Sequence, residues 1–183
     1  MAGAKLLIVA DDFTGGLDTG VKFAQRGIRV RVVMNPLGLP EWTDADEQVL
    51  VVVTESRGLP PEEARAAVFG IVSAGRRAGI RHVYKKTDSA LRGNIGAELS
   101  AALAASGAEM LPFLPAYPAM GRTTVDGRHY IDGTPVARSV FSRDPVNPVA
   151  ESDVCRLISA QTDVPVRRAD PRRLDVVRGI CVV

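Results

Sequence analysis

With 183 residues the chain can bury one sizeable core, and 46% hydrophobic against 24% charged residues excludes a disordered polypeptide. A net charge of +2, with no Lys/Arg stripe interleaved with aromatics, argues against a nucleic-acid partner. The first residues run into an apolar strand without leader-like composition, and no apolar run approaches the roughly 18 residues of a membrane span; a cytoplasmic protein with no membrane partner is expected.

In chain order, Lys5 to Val9 reads as a buried parallel strand and Leu17 to Arg26 as the helix after it. Strands are expected over 5–11, 29–34, 48–54, 81–86 and 109–114, and helices over 16–26, 61–78 and 94–106. Pro60-Pro61-Glu62-Glu63 gives the 61–78 helix a proline start and an acidic first turn. Arg76 and Arg77 fall in its last turn, and Gly79 supplies the stop. The unbroken apolar run Val49 to Val53 suits a strand covered on both faces. This alternation predicts an α/β fold, a doubly wound and mostly parallel sheet flanked by helices.

From Pro115 the rhythm breaks. Residues 115–124 form a proline-bounded loop carrying Arg122, Thr123 and Thr124, followed by a β-hairpin, 128–131 and 134–137, around Asp132-Gly133. A second loop over 141–148, an amphipathic helix over 150–161, strands over 164–168 and 179–183, and a helix or turn over 171–177 complete the pattern. The chain stops at Ile180-Cys181-Val182-Val183, inside what reads as a strand, where polar tails are usual. A longer protein is expected from this, and an uncovered apolar edge that favours a homo-oligomer.

Two strand ends carry the chemistry. Lys85-Lys86-Thr87-Asp88-Ser89-Ala90-Leu91-Arg92-Gly93-Asn94 lies between an apolar strand and a helix, at the edge where α/β sheets bind ligands. Burying so many polar groups unpaired would be costly, and their mixed signs suit a small polyhydroxy acid: cations for its carboxylate, donors and acceptors for its hydroxyls. The plainer alternative is a solvated loop. Against it stands a second such run at the first strand end, Ala10-Asp11-Asp12-Phe13-Thr14-Gly15-Gly16. Its glycines at 15, 16 and 20 do not form the G-x-G-x-x-G of a dinucleotide loop, which argues against an NAD oxidoreductase, and no Walker loop occurs in the chain. Phe13 stands where an aspartyl phosphatase needs its second Asp. What remains is carboxylates that hold sugar hydroxyls or act as a base; a helix cap accounts for one aspartate but hardly both. Cys155 and Cys181 lack metal or redox spacing and read as ordinary thiols, and no metal site is expected. His82 and His129 stand alone and read as structural or surface residues.

These residues carry a resemblance. Ala10 to Gly15, Thr54-Glu55-Ser56-Arg57, Tyr84 to Asn94, Pro115 to Thr124, the hairpin with Gly133, and Phe141 to Pro148 with Glu151-Ser152 together resemble the N-terminal domain of the four-carbon acid sugar kinases. The resemblance covers nearly the whole chain in order. Ala90 and Gly16 depart from the family pattern and leave the particular acid open. It implies that residues 1–183 are the sugar-acid-binding domain of a two-domain kinase for threonate, erythronate or 3-oxo-tetronate. ATP and Mg2+ would then be held mainly by a C-terminal nucleotide domain outside this chain. The roles implied are Arg92 on the substrate carboxylate, Asp11 and Asp12 on hydroxyls, and Asp12 or Asp88 as catalytic base. Lys85, Lys86 and Arg122 would neutralise charge, with Ser89, Asn94 and Thr123 completing the substrate contacts, although Asn94 could instead cap the helix from Ile95. The competing expectation is a non-catalytic acid-sugar-binding module.

Overall fold

The alternation of strand and helix is realised in the computed structural model, which describes residues 4–34, 46–170 and 178–183. In order it contains β1 (Leu6–Ala10), α1 (Phe13–Ala24), β2 (Val30–Met34), β3 (Val49–Val53), α2 (Pro61–Arg77), β4 (His82–Lys86), α3 (Ile95–Ser106) and β5 (Met110–Phe113). Then follow β6 (Arg122–Val125), β7 (Arg128–Ile131), β8 (Thr134–Pro135), α4 (Val154–Ser159), β9 (Val166–Arg168) and β10 (Gly179–Val182). The helix or turn expected over 171–177 lies outside the described residues.

The parallel sheet flanked by helices is present, divided into two ladders. One runs β2-β3-β1-β4 and the other β5-β10-β9, and among the described residues β4 and β5 are each bonded on one side only. Period-two alternation sorts the first ladder's side chains. Ile8, Val51 and Val53 pack with Phe23 of α1, whereas Leu7, Val9, Leu50 and Val52 pack with Val68 and Val72 of α2 and Ala101 and Ala102 of α3. The opposite side of α3, with Ile95, Leu99 and Leu103, meets Phe113, Ile180 and Val182 of the second ladder. Every residue of α3 from Ile95 to Leu103 is buried, as expected of a helix apolar nearly all round. It is the beam between the two ladders.

Four boundaries differ from expectation. Helix α1 begins three residues early because the Asp12 carboxylate caps it, accepting from the Gly15 amide at 2.9 Å. The hairpin is a three-stranded meander, since residues 122–125 pair with 128–131 instead of forming loop. A second Asp-Gly turn makes this possible: Asp126 and Gly127 have φ of 49° and 73°, Asp132 and Gly133 49° and 77°. Helix α4 is confined to six residues behind an Asp153 cap. Strand β10 runs between β5 and β9, with Ile180, Cys181 and Val182 buried, so the uncovered edge expected there does not exist and that reason for self-association falls.

The junction of α3 and α4 offers a test. A methyl on Gly96 would run into the backbone carbonyl of Ile158, whereas one on Gly70 of α2 meets nothing within 4 Å. Gly96→Ala should lower stability by about 1–3 kcal/mol through overpacking against backbone. Gly70→Ala should raise it by about 0.4–1 kcal/mol. Urea midpoints of the two variants check both signs.

Candidate functional site

The C-terminal ends of β1, β3 and β4 lie side by side, Ala10 opposite both Val53 and Lys86. Asp11-Asp12, Thr54 to Arg57 and Thr87 to Arg92 therefore leave the sheet at one edge. Arg57 stands at their centre. Its Nε donates to Asp11 Oδ2 at 2.7 Å, and its Nη2 lies 2.8 Å from Asp12 Oδ1 and 3.7 Å from Asp88 Oδ1. The loop beneath it is fixed: the Arg57 amide donates to Asp11 O at 3.3 Å, and the Asn94 carboxamide donates to Ser56 O at 3.0 Å and Leu59 O at 2.8 Å. Gly93, at φ 84°, lets this turn close, since a side chain there would stand 2.9 Å from Arg57 O.

The expected residues separate into three groups. Asp11, Asp12, Lys86, Asp88 and Ser89 are brought to the edge, Asp12 serving as the α1 cap as well. Asp11 Oδ1 is buried without a hydrogen-bond partner among the described residues. Lys86 Nζ donates to Thr87 O at 2.7 Å and lies beside Gly15, in no ion pair with a described carboxylate.

A second group is committed elsewhere. Lys85 does not reach the site: successive strand residues face opposite ways, and its Nζ is buried 2.7 Å from Glu98 Oε2 behind the sheet. Arg92 does not offer a free fork for a substrate carboxylate. Its Nε and Nη2 grip Asp88 at 2.8 and 3.0 Å, its Nη1 lies 3.1 Å from Asp144, and its guanidinium stacks 5.1 Å from the Phe141 ring centre. Burial alone would raise the Asp88 pKa, but the bonds from Arg92 and the Arg57 charge outweigh it and hold the carboxyl below its ordinary value. With both oxygens so engaged, Asp88 is a poor base. Asn94 spends its side chain on the 56–59 loop and makes no side-chain cap.

The third group comes from the meander. Thr124 faces His129, Oγ1 to Nδ1 at 3.0 Å, so Thr123 projects from the other face and is not brought to the cluster. Arg122 stands 5.8 Å from the Phe141 ring centre, its Nη1 donates to Met120 O, and Asp132 lies 4.0 Å away. Arg122 Nε is buried without a partner among the described residues. His129 is structural, as expected: fully buried, its Nε2–H donates to Ser89 O at 2.9 Å, which leaves Nδ1 to accept from Thr124. Burial pushes the His129 pKa down, and the Arg122 charge adds to this.

Arg57, Glu98, Phe141 and Asp144 carry the arrangement without having been singled out as site residues from sequence. Arg57 had two signals, its place just past the end of a buried parallel strand and its membership of the Thr54 to Arg57 stretch that carries the resemblance, and Phe141 and Asp144 lie in the Phe141 to Pro148 stretch. A cavity of about 820 Å3 opens between the free edges of β4 and β5, floored by Leu99 and Ala102 of α3. Lys86, Thr87, Asp88 and Ser89 line one end, where Lys22 meets the Tyr117 hydroxyl at 2.8 Å. Among the described residues no group of three His, Cys, Asp or Glu side chains could hold a metal ion, since the site's aspartates turn to arginines.

The family of sugar-binding N-terminal domains matches residues 6–179. The chain is 40% identical over 163 residues to a D-threonate kinase of Salmonella typhimurium, covering 88% of this chain and 38% of that protein. It is 32% identical over 164 residues to a 3-oxo-tetronate kinase of Escherichia coli, covering 86% and 41% respectively. A solved structure from Bordetella bronchiseptica, described as a domain of unknown function with bound citrate and as a domain-swapped dimer, superposes with a TM-score of 0.84. Its identity is 32%, with 97% of this chain and 46% of that one covered. The chain thus spans less than half the length of the curated relatives it matches. No described helix is long and apolar enough to cross a membrane.

Two outcomes follow from the geometry. Arg92→Ala strips Asp88 of its fork and should cost about 1.5–3 kcal/mol of stability, with Arg92→Lys in between, as urea denaturation would show. Because folded His129 resists protonation, the unfolded chain takes up that proton first as pH falls below about 6.5, and stability is lost there. Melting temperature should drop from pH 7 to 5.5, and His129→Asn should flatten that drop.

Proposed function

The chain belongs to the family of sugar-binding N-terminal domains, and from that premise we propose that it is the acid-sugar-binding part of an ATP-dependent kinase for a four-carbon acid. Threonate, erythronate and 3-oxo-tetronate are the candidate acids, each being the substrate in the name of a relative. The observation that carries the reading is Asp11 Oδ1, a buried acceptor without a donor among the described residues, beside an Arg57 whose Nε and Nη2 are taken by Asp11 Oδ2 and Asp12. A buried oxygen without a donor is costly, and a substrate hydroxyl would satisfy it.

Asp11 then receives a hydroxyl of the acid, while Lys86 and Arg122 supply positive charge for its carboxylate, the role that Arg92 is too engaged to fill. Asp12 Oδ2 stands outside the cap and the Arg57 pair, so Asp12 is the remaining candidate for accepting the hydroxyl proton. In phosphoryl transfer such help is secondary to positioning and charge. The nucleotide and its Mg2+ belong, on this reading, to a further C-terminal domain of the kind that the relatives' extra length can hold. ATP as donor implies the cytoplasm. A homo-oligomer is proposed on the strength of the relative described as a domain-swapped dimer.

Titration calorimetry tests this. The 183-residue chain should bind D-threonate or D-erythronate and show no heat with ATP. Asp11→Ala, checked as folded by its melt, should weaken the acid roughly ten- to a hundredfold, the worth of one charge-assisted hydrogen bond. A parent chain that binds no tetronate would sink the proposal. Phosphorylation restored by adding a nucleotide domain would separate a kinase part from a non-catalytic acid-binding module.

A further inference from the structure

Behind the site lies a charged pair that stability does not explain. The Lys85 and Glu98 side chains are 2% and 1% exposed, with Nζ to Oε2 at 2.7 Å. A buried ion pair barely repays its desolvation, and apolar replacements of similar volume are often as stable or more so. What this pair holds is therefore informative. Glu98 Oε1 accepts from the Ser56 hydroxyl at 2.5 Å. Ser56 Oγ accepts in turn from Thr54 Oγ1 at 2.7 Å, the Thr54 amide donates to Ala10 O at 2.9 Å, and Lys85 Nζ donates to Lys86 O at 2.6 Å.

The network thus touches the chain next to each polar group at the sheet edge. Ala10 precedes Asp11, Ser56 precedes Arg57, and the Lys86 carbonyl belongs to the residue whose ammonium lies beside α1. Between Thr54 and Ser56, Glu55 is held at φ 50°, a left-handed conformation that a non-glycine residue keeps only where its surroundings impose it. The tied hydroxyls on either side hold this segment together with the Arg57 amide bond to Asp11 O and the Asn94 bond to Ser56 O. That bend turns Arg57 back over Asp11 and Asp12.

We infer that Lys85 and Glu98 are positioning residues that act through Ser56 to set Arg57, Asp11 and Lys86 for the acid, an inference that rests on the acid-binding reading above. Replacing the pair by apolar residues should leave the fold intact and loosen the site. Lys85→Met/Glu98→Leu is the first variant and Ser56→Ala the second, which cuts only the link and cannot strand a charge.

Two measurements decide. In calorimetry both variants should melt within a few degrees of the parent yet bind D-threonate roughly three- to thirtyfold more weakly. Adding Ser56→Ala to the apolar pair should cost nothing more, because the same link is already cut. In 15N–1H spectra the Arg57 Nε–H resonance, held by Asp11 in the parent, should shift or broaden in both variants. Variants that keep the parent's affinity and Arg57 signal would overturn the inference, and so would equal losses of stability and affinity. The Arg57 signal needs no ligand, so a parent that binds no tetronate defeats the functional reading while the positioning is still decided. Should the apolar pair fail to fold, Ser56→Ala alone gives both readouts.

Discussion

Three carboxylates, Asp11, Asp12 and Asp88, emerge from neighbouring strand ends, and the parallel register leaves them no way to disperse. In a partly buried setting such a cluster would drive protons on or the backbone apart, since like charges disfavour one another's ionised forms. Arg57 resolves this by lying between all three, closest to Asp11 and Asp12 and 3.7 Å from Asp88, where Arg92 completes the neutralisation. A guanidinium suits the task because it remains charged and presents donors in several directions at once. That one side chain reaches all three strand-end loops.

Support for Arg57 comes from below, and it explains why α3 is the most buried helix. Asn94, just before its first turn, grips the 56–59 loop, and Glu98, one turn further on, reaches Ser56 and Lys85. The same helix carries Leu99 and Leu103 into the second ladder's core. Site geometry and the joint between ladders are therefore functions of one element. Precision at a site depends on such backing by rigid structure.

Much of this was legible in sequence wherever the signal was local. The buried strands announced themselves as apolar runs, and the two polar runs were legible as a site because parallel strands deliver their C-terminal ends to one edge. Asp88 and Arg92, four apart, were an ion pair in waiting. Lys85 and Lys86 as adjacent strand residues could not both face the ligand, a consequence of the pleat that their shared charge obscures. Arg57 pairs with an aspartate 46 positions away, Arg92 with one 52 positions away, and no periodicity reports such contacts. The division of the sheet was equally hidden, since it turns on β10 seating beside β5 from the far end of the chain.

The charge left over after these pairings sets the character of the site. Among the described residues Asp11 Oδ1 is an acceptor without a donor, Arg122 Nε is a donor without an acceptor, and Lys86 Nζ meets the Thr87 carbonyl but no carboxylate. A neutral polyol would answer the first and leave the cations unmet. A dianion without hydroxyls would answer the cations and leave the aspartate facing like charge. On the proposed reading, a ligand carrying hydroxyls and a negative group together would satisfy both, and buried groups of this kind reject partners that leave them unpaired more strongly than they reward size. The selectivity proposed here would follow from what the protein leaves open after Arg57, Arg92 and the cap of α1 have taken their share.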